Sequence, residues 1–247
     1  FRREHFAAAD APLVFSRETH APAVFRGLIA FEYARGLERD VHGMNKLMMA
    51  NATPFNLCWL APLLDVLGTE TNWNPGSWQP MPVAEMLYRR ATSKGKPYCF
   101  LMNSNFDQWP YELTEKYMKR SLAFGIFPGF FSQDAATGHY FTRPELYDRD
   151  RALFKKYLPL CKRVAEAGWE PIPLARSKDA EIVVERFGDK LWTVFNEGKA
   201  DKNVTLAFDG FTPGSFTELV AGKAVGVNGQ DVTFSLPAED VAVLEAK

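Results

Sequence analysis

Apolar and polar positions fall into two patterns along this chain. Up to about residue 167, short continuous apolar runs alternate with longer stretches whose apolar residues recur near the helical period. Residues 1–20 carry no clear period and read as a loop. The spacing predicts a helix over 22–42, with Pro22 in its first turn and Gly43 at its end. Phe25, Leu28, Ile29, Leu37 and Val41 would lie mostly on one face of it. A strand follows at 46–50 with the polar tip Asn51-Ala-Thr53, then a short helix over 54–63. The next strand, 64–70, ends in Glu70 and opens into a loop rich in Trp, Asn, Gly and Pro that runs to Pro82. A helix over 83–93, a strand over 98–102 with the tip Asn103-Ser-Asn105-Phe-Asp107, and a helix over 111–123 come next. The last unit is the strand 126–131, the tip Ser132-Gln-Asp134, a loop holding His139, Tyr140 and Phe141, and a long helix over 144–167.

Each of these strands is an unbroken apolar run, the pattern of parallel strands covered on both faces. They recur about every 20–35 residues, the spacing of βα units. Gly168-Trp-Glu-Pro-Ile-Pro173 breaks the series. Beyond it, segments at 180–187, 190–196, 203–208, 215–221, 231–236 and 241–245 alternate in polarity. Turns such as Gly188-Asp189 and Asn228-Gly229 separate them. Short strands at this spacing indicate an antiparallel β-sandwich. The expected fold is therefore α/β, with residues 1–172 as the second half of a TIM (β/α)8 barrel and 173–247 as a β-sandwich domain. Left open, such a sheet would expose two edges as pairing templates, so the chain is expected to meet a missing N-terminal half-barrel or a companion chain. An open, flavodoxin-like sheet is the alternative, though no glycine-rich phosphate loop accompanies these strands.

Composition narrows the picture modestly. Of 247 residues, 47% are hydrophobic and 24% charged, enough for a sizeable core. A net charge of −1 gives no reason to expect nucleic acid or an anionic membrane surface as partner. No stretch approaches the ~18 uninterrupted apolar residues of a membrane span. Cys58, Cys99 and Cys161 each sit in an apolar run and read as buried free thiols. The histidines are scattered and the cysteines unpaired in spacing, so neither a catalytic metal nor any other cofactor is expected.

The chemistry sits at the strand tips. Glu70 ends an apolar strand with Trp73 three residues on, the placing of a general acid beside an aromatic platform. Burial near Leu67 and Trp73 would raise its pKa, as an acid active near neutrality requires. Asp65 is a poor partner for it: at ~3.3 Å per residue the two lie about 16 Å apart and face opposite ways. Asp65 is expected to cap a helix or pair ionically at the far end of the strand. Asn51, Asn103, Asn105 and Asp107 hold equivalent tips, suited to sugar hydroxyls or simply to turns. Trp73 and Trp78, and less directly Trp109, are candidates for stacking on a sugar face. Gln133, Asp134 and His139 follow the last parallel strand. Arg2, Arg3, Glu4 and His5 form a charged cluster near the start, either a solvated group or a hold on substrate.

Three words in the sequence carry a family resemblance: Asn51 after Lys46-Leu-Met-Met-Ala50, Asp65-Val-Leu-Gly-Thr-Glu70, and Phe124-Gly-Ile-Phe-Pro-Gly-Phe-Phe131. The ending Leu236-Pro-Ala-Glu-Asp-Val-Ala-Val-Leu-Glu245 joins them. Together they resemble the C-terminal part of barrel glycoside hydrolases with a β-sandwich after the barrel, of the α-galactosidase-like, α-glucosidase-like and endo-α-N-acetylgalactosaminidase-like kinds. The resemblance implies hydrolysis of an O-glycosidic, α-linked bond in an oligosaccharide or glycoside by a retaining two-carboxylate mechanism. In those families the nucleophilic Asp ends the fourth strand and the acid/base the sixth. Counting the present strands as five to eight puts Glu70 on the sixth and the nucleophile upstream of Phe1. Asn51, Trp73, Asn103, Asn105, Arg3 and His5 would contact substrate. The rival class is a carbohydrate-binding or scaffold protein without hydrolysis.

Overall fold

A computed structural model describes residues 4, 13–52, 58–71, 80–104, 106–131, 140–210 and 214–247. Four strands, β3 (Met49–Asn51), β4 (Val66–Thr71), β5 (Tyr98–Asn103) and β6 (Phe127–Phe131), form one parallel sheet in sequence order. Helices α2 (Val83–Thr92), α3 (Tyr111–Ala123) and α4 (Pro144–Ala167) connect and follow them. Proline just inside the start of α4, where no backbone donor is needed, and Gly168 at φ 82° just past its end mark the limits of that helix.

The first segment departs from expectation. Residues predicted as loop and helix start instead form an antiparallel hairpin of β1 (Leu13–Phe15) and β2 (Pro22–Val24), with Pro22 opposite Phe15. Helix α1 therefore begins later, at Arg26, and runs to Gly43. Its apolar face stays largely in solvent: only Ala34 is buried, while Ile29, Tyr33 and Leu37 are exposed. The strand expected from residue 46 begins at Met49, and the short helix before β4 is a 3-10 turn at Cys58–Leu63. Cys58 is exposed there, contrary to expectation, whereas Cys161 is buried and Cys99 lies between.

Register explains which face of the parallel sheet is covered. Tyr98, Phe100 and Met102 are buried, and Cys99, Leu101 and Asn103 half-buried, in strict alternation along β5. The first set packs on the helices: Phe100 meets Tyr117 of α3 at 5.4 Å between ring centroids, and Phe130 of β6 stacks on Tyr140 at 4.6 Å. The second set shares its face with Met49, Asn51, Val66, Gly68, Glu70, Phe127 and Gly129, as the parallel register requires. The unbroken apolar runs predicted cover on both sides. Among the described residues only the helix side is covered, and Met49 remains 45% exposed on the other.

Antiparallel strands make up the rest. β7 (Trp169–Glu170), β9 (Ile182–Phe187), β10 (Leu191–Asn196), β12 (Phe216–Glu218), β13 (Lys223–Val225) and β16 (Val241–Ala246) form a six-stranded sheet. A four-stranded sheet comprises β8 (Ala175–Ser177), β11 (Lys202–Phe208), β14 (Val227–Asn228) and β15 (Asp231–Leu236). β15 alternates exposed and buried residues, so one face of its sheet meets solvent. β10 is buried throughout, because its sheet is covered twice. Trp192 and Val194 join Val204, Leu206 and Val232 in the core between the two antiparallel sheets. Leu191 and Phe195 point the other way, into the core shared with the helices and the parallel sheet.

That shared core ties the two patterns into one packed body. Thr193 donates to the carbonyl of Ala123 at 2.5 Å, Arg120 lies over the Phe195 ring, and Lys116 pairs with Glu239 at 2.8 Å. Gly125, at φ +60°, lets the Phe187 ring sit where a side chain would otherwise be; a Cβ there would overlap that ring. Full burial of a ring such as Phe187 is worth roughly 2–3 kcal/mol. No described helix is long and apolar enough to cross a membrane.

Candidate active site

Parallel strands deliver the residues at their C-terminal ends to one rim, and three of the candidates meet there. Glu70, the next-to-last residue of β4, lies between Asn51 of β3 and Asn103 of β5. Asn51 Nδ2 donates to Glu70 Oε1, and Asn103 Nδ2 donates to Oε2 at 3.3 Å. Asn51 turns its own carbonyl oxygen back onto the Ala52 N–H at 2.8 Å, which fixes the amide with its donor toward the carboxylate. Asn103 Oδ1 is buried and has no hydrogen-bond partner among the described residues. The register makes the cluster possible: Asn51 pairs with Gly68, and Glu70 with Leu101, so all three side chains leave the sheet on its uncovered face.

Glu70 is exposed, not enclosed as expected. Leu67 cannot shield it, because three residues along a strand reverses the face, and Leu67 is buried against the helices. What holds Glu70 is the pair of amides. Beneath the cluster lie half-buried Cys99, whose thiol pKa burial pushes up, and Leu101. On the opposite face Thr69 accepts from Arg89 Nη1 at 2.7 Å, and Arg89 also donates to Glu85 and, at 3.4 Å, to Tyr98. This buried clamp secures the strand end carrying Glu70. Its only trace in the sequence is an arginine on the apolar side of α2.

A second network braces the neighbouring loops. Asp150, fully buried near the start of α4, accepts from Tyr140 at 2.8 Å, Thr114 at 3.0 Å and Arg149 at 2.6 Å. Burial first, and then the Asp150 carboxylate, push the Tyr140 hydroxyl well above its ordinary pKa. Trp109 belongs to this network rather than to any sugar platform. It is 2% exposed, its indole N–H donates to Thr114 at 2.9 Å, and its ring packs edge-on against Phe106. Asp107 is drawn aside into an ion pair with Arg143.

Asp65 lies at the other end of β4, 2.8 Å from His42 and accepting from the Met48 N–H at 2.7 Å. Its ionic pairing there, far from Glu70, is the arrangement the strand geometry implied. Arg2, Arg3, His5, Trp73, Trp78, Asn105, Gln133, Asp134 and His139 lie outside the described residues, and Glu4 is exposed. No group of three or more potential metal ligands occurs among the described residues.

No family model and no curated protein matches the chain. Among solved structures it is similar to α-galactosidase I from Mortierella vinacea, at 10% identity and a TM-score of 0.53. That likeness covers 89% of this chain and 63% of that one. It is similar also to an Anoxybacillus α-amylase, at 12% identity and a TM-score of 0.52, covering 90% of this chain and 56% of that one. The chain thus spans less than two thirds of either. At such identities the likeness is one of fold. The class is an α/β protein that joins a parallel sheet to antiparallel sheets, and its fold is similar to part of these two structures.

Proposed function

We propose that this chain carries the general acid/base of a glycoside hydrolase, and that the acid/base is Glu70. The observation that carries the reading is the placing of one carboxylate at the C-terminal end of a parallel strand, held through both oxygens by amides from the two flanking strands. A carboxylate oriented on both oxygens can take a proton from water; once it is protonated and an amide has turned away to the sugar, it can give that proton to a leaving oxygen. A retaining reaction needs a second carboxylate about 5 Å away as nucleophile. We assign that group to a strand outside this chain, on an N-terminal half-barrel completing residues 1–172, with 173–247 as a sandwich without catalytic residues. The linkage is taken as α from the resemblance of the strand words. Asn51 and Asn103 would turn from Glu70 to substrate hydroxyls as a sugar enters, joined by Trp73, Asn105, Arg3 and His5.

The same observation favours a second reading, carbohydrate binding without hydrolysis, since a carboxylate flanked by two amides is also a hydroxyl-binding group. Glu70→Gln in the complete enzyme separates the two. For hydrolysis, turnover of natural glycosides should fall about 10²–10⁴-fold with folding intact. An aryl glycoside with a good leaving group, which needs little protonation, should lose much less. Undiminished turnover would remove Glu70 from the chemistry, and loss of glycan binding with no turnover in the parent would favour the second reading.

A further inference from the structure

The solvent face of the four-stranded sheet is not flat. A cavity of about 490 Å3 opens on it, where β8 leaves the sheet after Ser177 while β11 extends alongside as far as Lys202. Register puts Arg176, Asn203, Thr205, Ala207 and Asp231 on that one face: Arg176 and Asp231 both stand opposite Ala207, and Thr205 stands opposite Thr233. Short side chains at Ser177, Thr205 and Ala207, set among the longer Arg176, Lys178 and Lys202, make the hollow. Its volume falls within the range of small-molecule sites.

The charges that line it are balanced. Arg176 donates to Asp209 at 3.1 Å, and Lys202 donates to Asp179 at 2.8 Å and also to Glu181. Lys178 and Asp231 are exposed, form no ion pair among the described residues, and are opposite in sign. An incoming ion of either sign would therefore meet a like charge as well as an opposite one, all in contact with water, where ion pairing is weak. What the hollow does present is accessible neutral hydrogen-bonding capacity. The Asn203 amide is exposed and makes no hydrogen bond among the described residues. Thr205 and Thr233 share one hydrogen bond at 3.1 Å, which uses only one of their two hydroxyl hydrogens.

We propose that this hollow binds one neutral sugar unit of a glycan, with Asn203 and Asp231 on its hydroxyls and the Ala207 and Thr205 methyls against its C–H face. An amide donates and accepts at once, which matches two adjacent hydroxyls, and a carboxylate accepts from one or two more. The site lies on a different sheet from Glu70, and it stands or falls independently of the reading of Glu70 as an acid/base.

The test is saturation-transfer NMR of the 247-residue chain with glucose, galactose and N-acetylgalactosamine as probes, and inorganic phosphate in parallel. Saturable binding of at least one sugar is expected, in the weak range of a small ligand held by a few hydrogen bonds. Asn203→Ala and Asp231→Ala should each weaken it about five- to tenfold. Both residues are exposed, so the melting temperature should stay at the parent value and separate lost contacts from lost folding. Ala207→Trp, which fills the hollow from a solvent-facing strand position, should abolish it. Saturation of none of the three sugars would overturn the proposal. So would phosphate binding tighter than any sugar, or sugar binding that survives Ala207→Trp and disappears in Glu70→Gln, which would put the sugar at the strand tips instead.

Discussion

His42 and Glu70 stand at opposite ends of the same parallel strand's neighbourhood, and their surroundings sort them into different roles. Both imidazole nitrogens of His42 face carboxylates, Nε2 at 2.8 Å from Asp65 and Nδ1 at 2.9 Å from Glu38. Only the imidazolium can donate on both sides. The hydrogen bond to Asp65 is the first cause of a raised His42 pKa, while the Met48 N–H, then His42, lower that of Asp65. A raised histidine stabilises fully below its ordinary pKa and stops doing so as pH rises through the higher folded value. A lowered aspartate stabilises above its ordinary pKa and stops as pH falls through the lower one. Their joint support is greatest from about pH 4 to about pH 6.5. His42→Gln should therefore lower the melting temperature at about pH 5.5 and hardly change it at about pH 9. An equal loss at both would show that the ring acts by packing. At this scale the sequence was readable where strand geometry alone decides. The odd spacing of Asp65 and Glu70 was enough to separate them. Trp109 was not readable, because its burial depends on Phe106, Thr114 and Asp150, which only the fold brings together.

Elements were legible in proportion to their periodicity. α3 and α4 match the limits their patterns predicted, since an amphipathic stretch between a proline and a glycine admits few alternatives. The hairpin β1–β2 has neither period nor a glycine turn, and Leu13, Val14 and Phe15 are exposed, so no burial pattern marks it. Glycine carries a different kind of information. Gly125 ends the turn after α3 in the left-handed region and makes room for Phe187, which couples that turn to the six-stranded sheet. Gly125→Ala would add backbone strain of roughly 1 kcal/mol or more to an overlap in the core that costs about 1–3 kcal/mol. Chemical denaturation should show a loss of at least about 2 kcal/mol. Near-parent stability would mean that Phe187 is free to swing aside, and that the junction between helices and sheet is looser than its burial implies.

At the scale of the whole molecule, the uncovered side of the parallel sheet is the feature that most needs an explanation. β3 and β6 each pair on one side only among the described residues, and the face between them shows Met49, Val66, Cys99, Leu101 and Phe127 below the polar rim of Asn51, Glu70 and Asn103. Two free edges and an apolar face are an invitation to association in water. A polar rim above an apolar floor is also what the inside of a closed barrel presents, with chemistry at its mouth and packing below. The similar solved chains are longer than this one by enough to supply such a complement, since it spans 63% and 56% of them. We therefore expect that a polypeptide providing further parallel strands against β3 and β6 will bury this face, and will bring a second carboxylate opposite Glu70. Supplying such strands, within one polypeptide or by co-expression, and measuring the solution mass should give a single longer chain or a one-to-one complex in which Cys99 is protected from a thiol reagent. The 247-residue chain alone should associate as its concentration rises, with Cys99 open to the reagent. A monomer of 27.9 kDa that stays soluble at high concentration, with Cys99 already protected, would show that the face is covered from within the chain. The closed-barrel expectation would then give way to a self-contained open sheet, and the nucleophile would have to be sought among this chain's own residues.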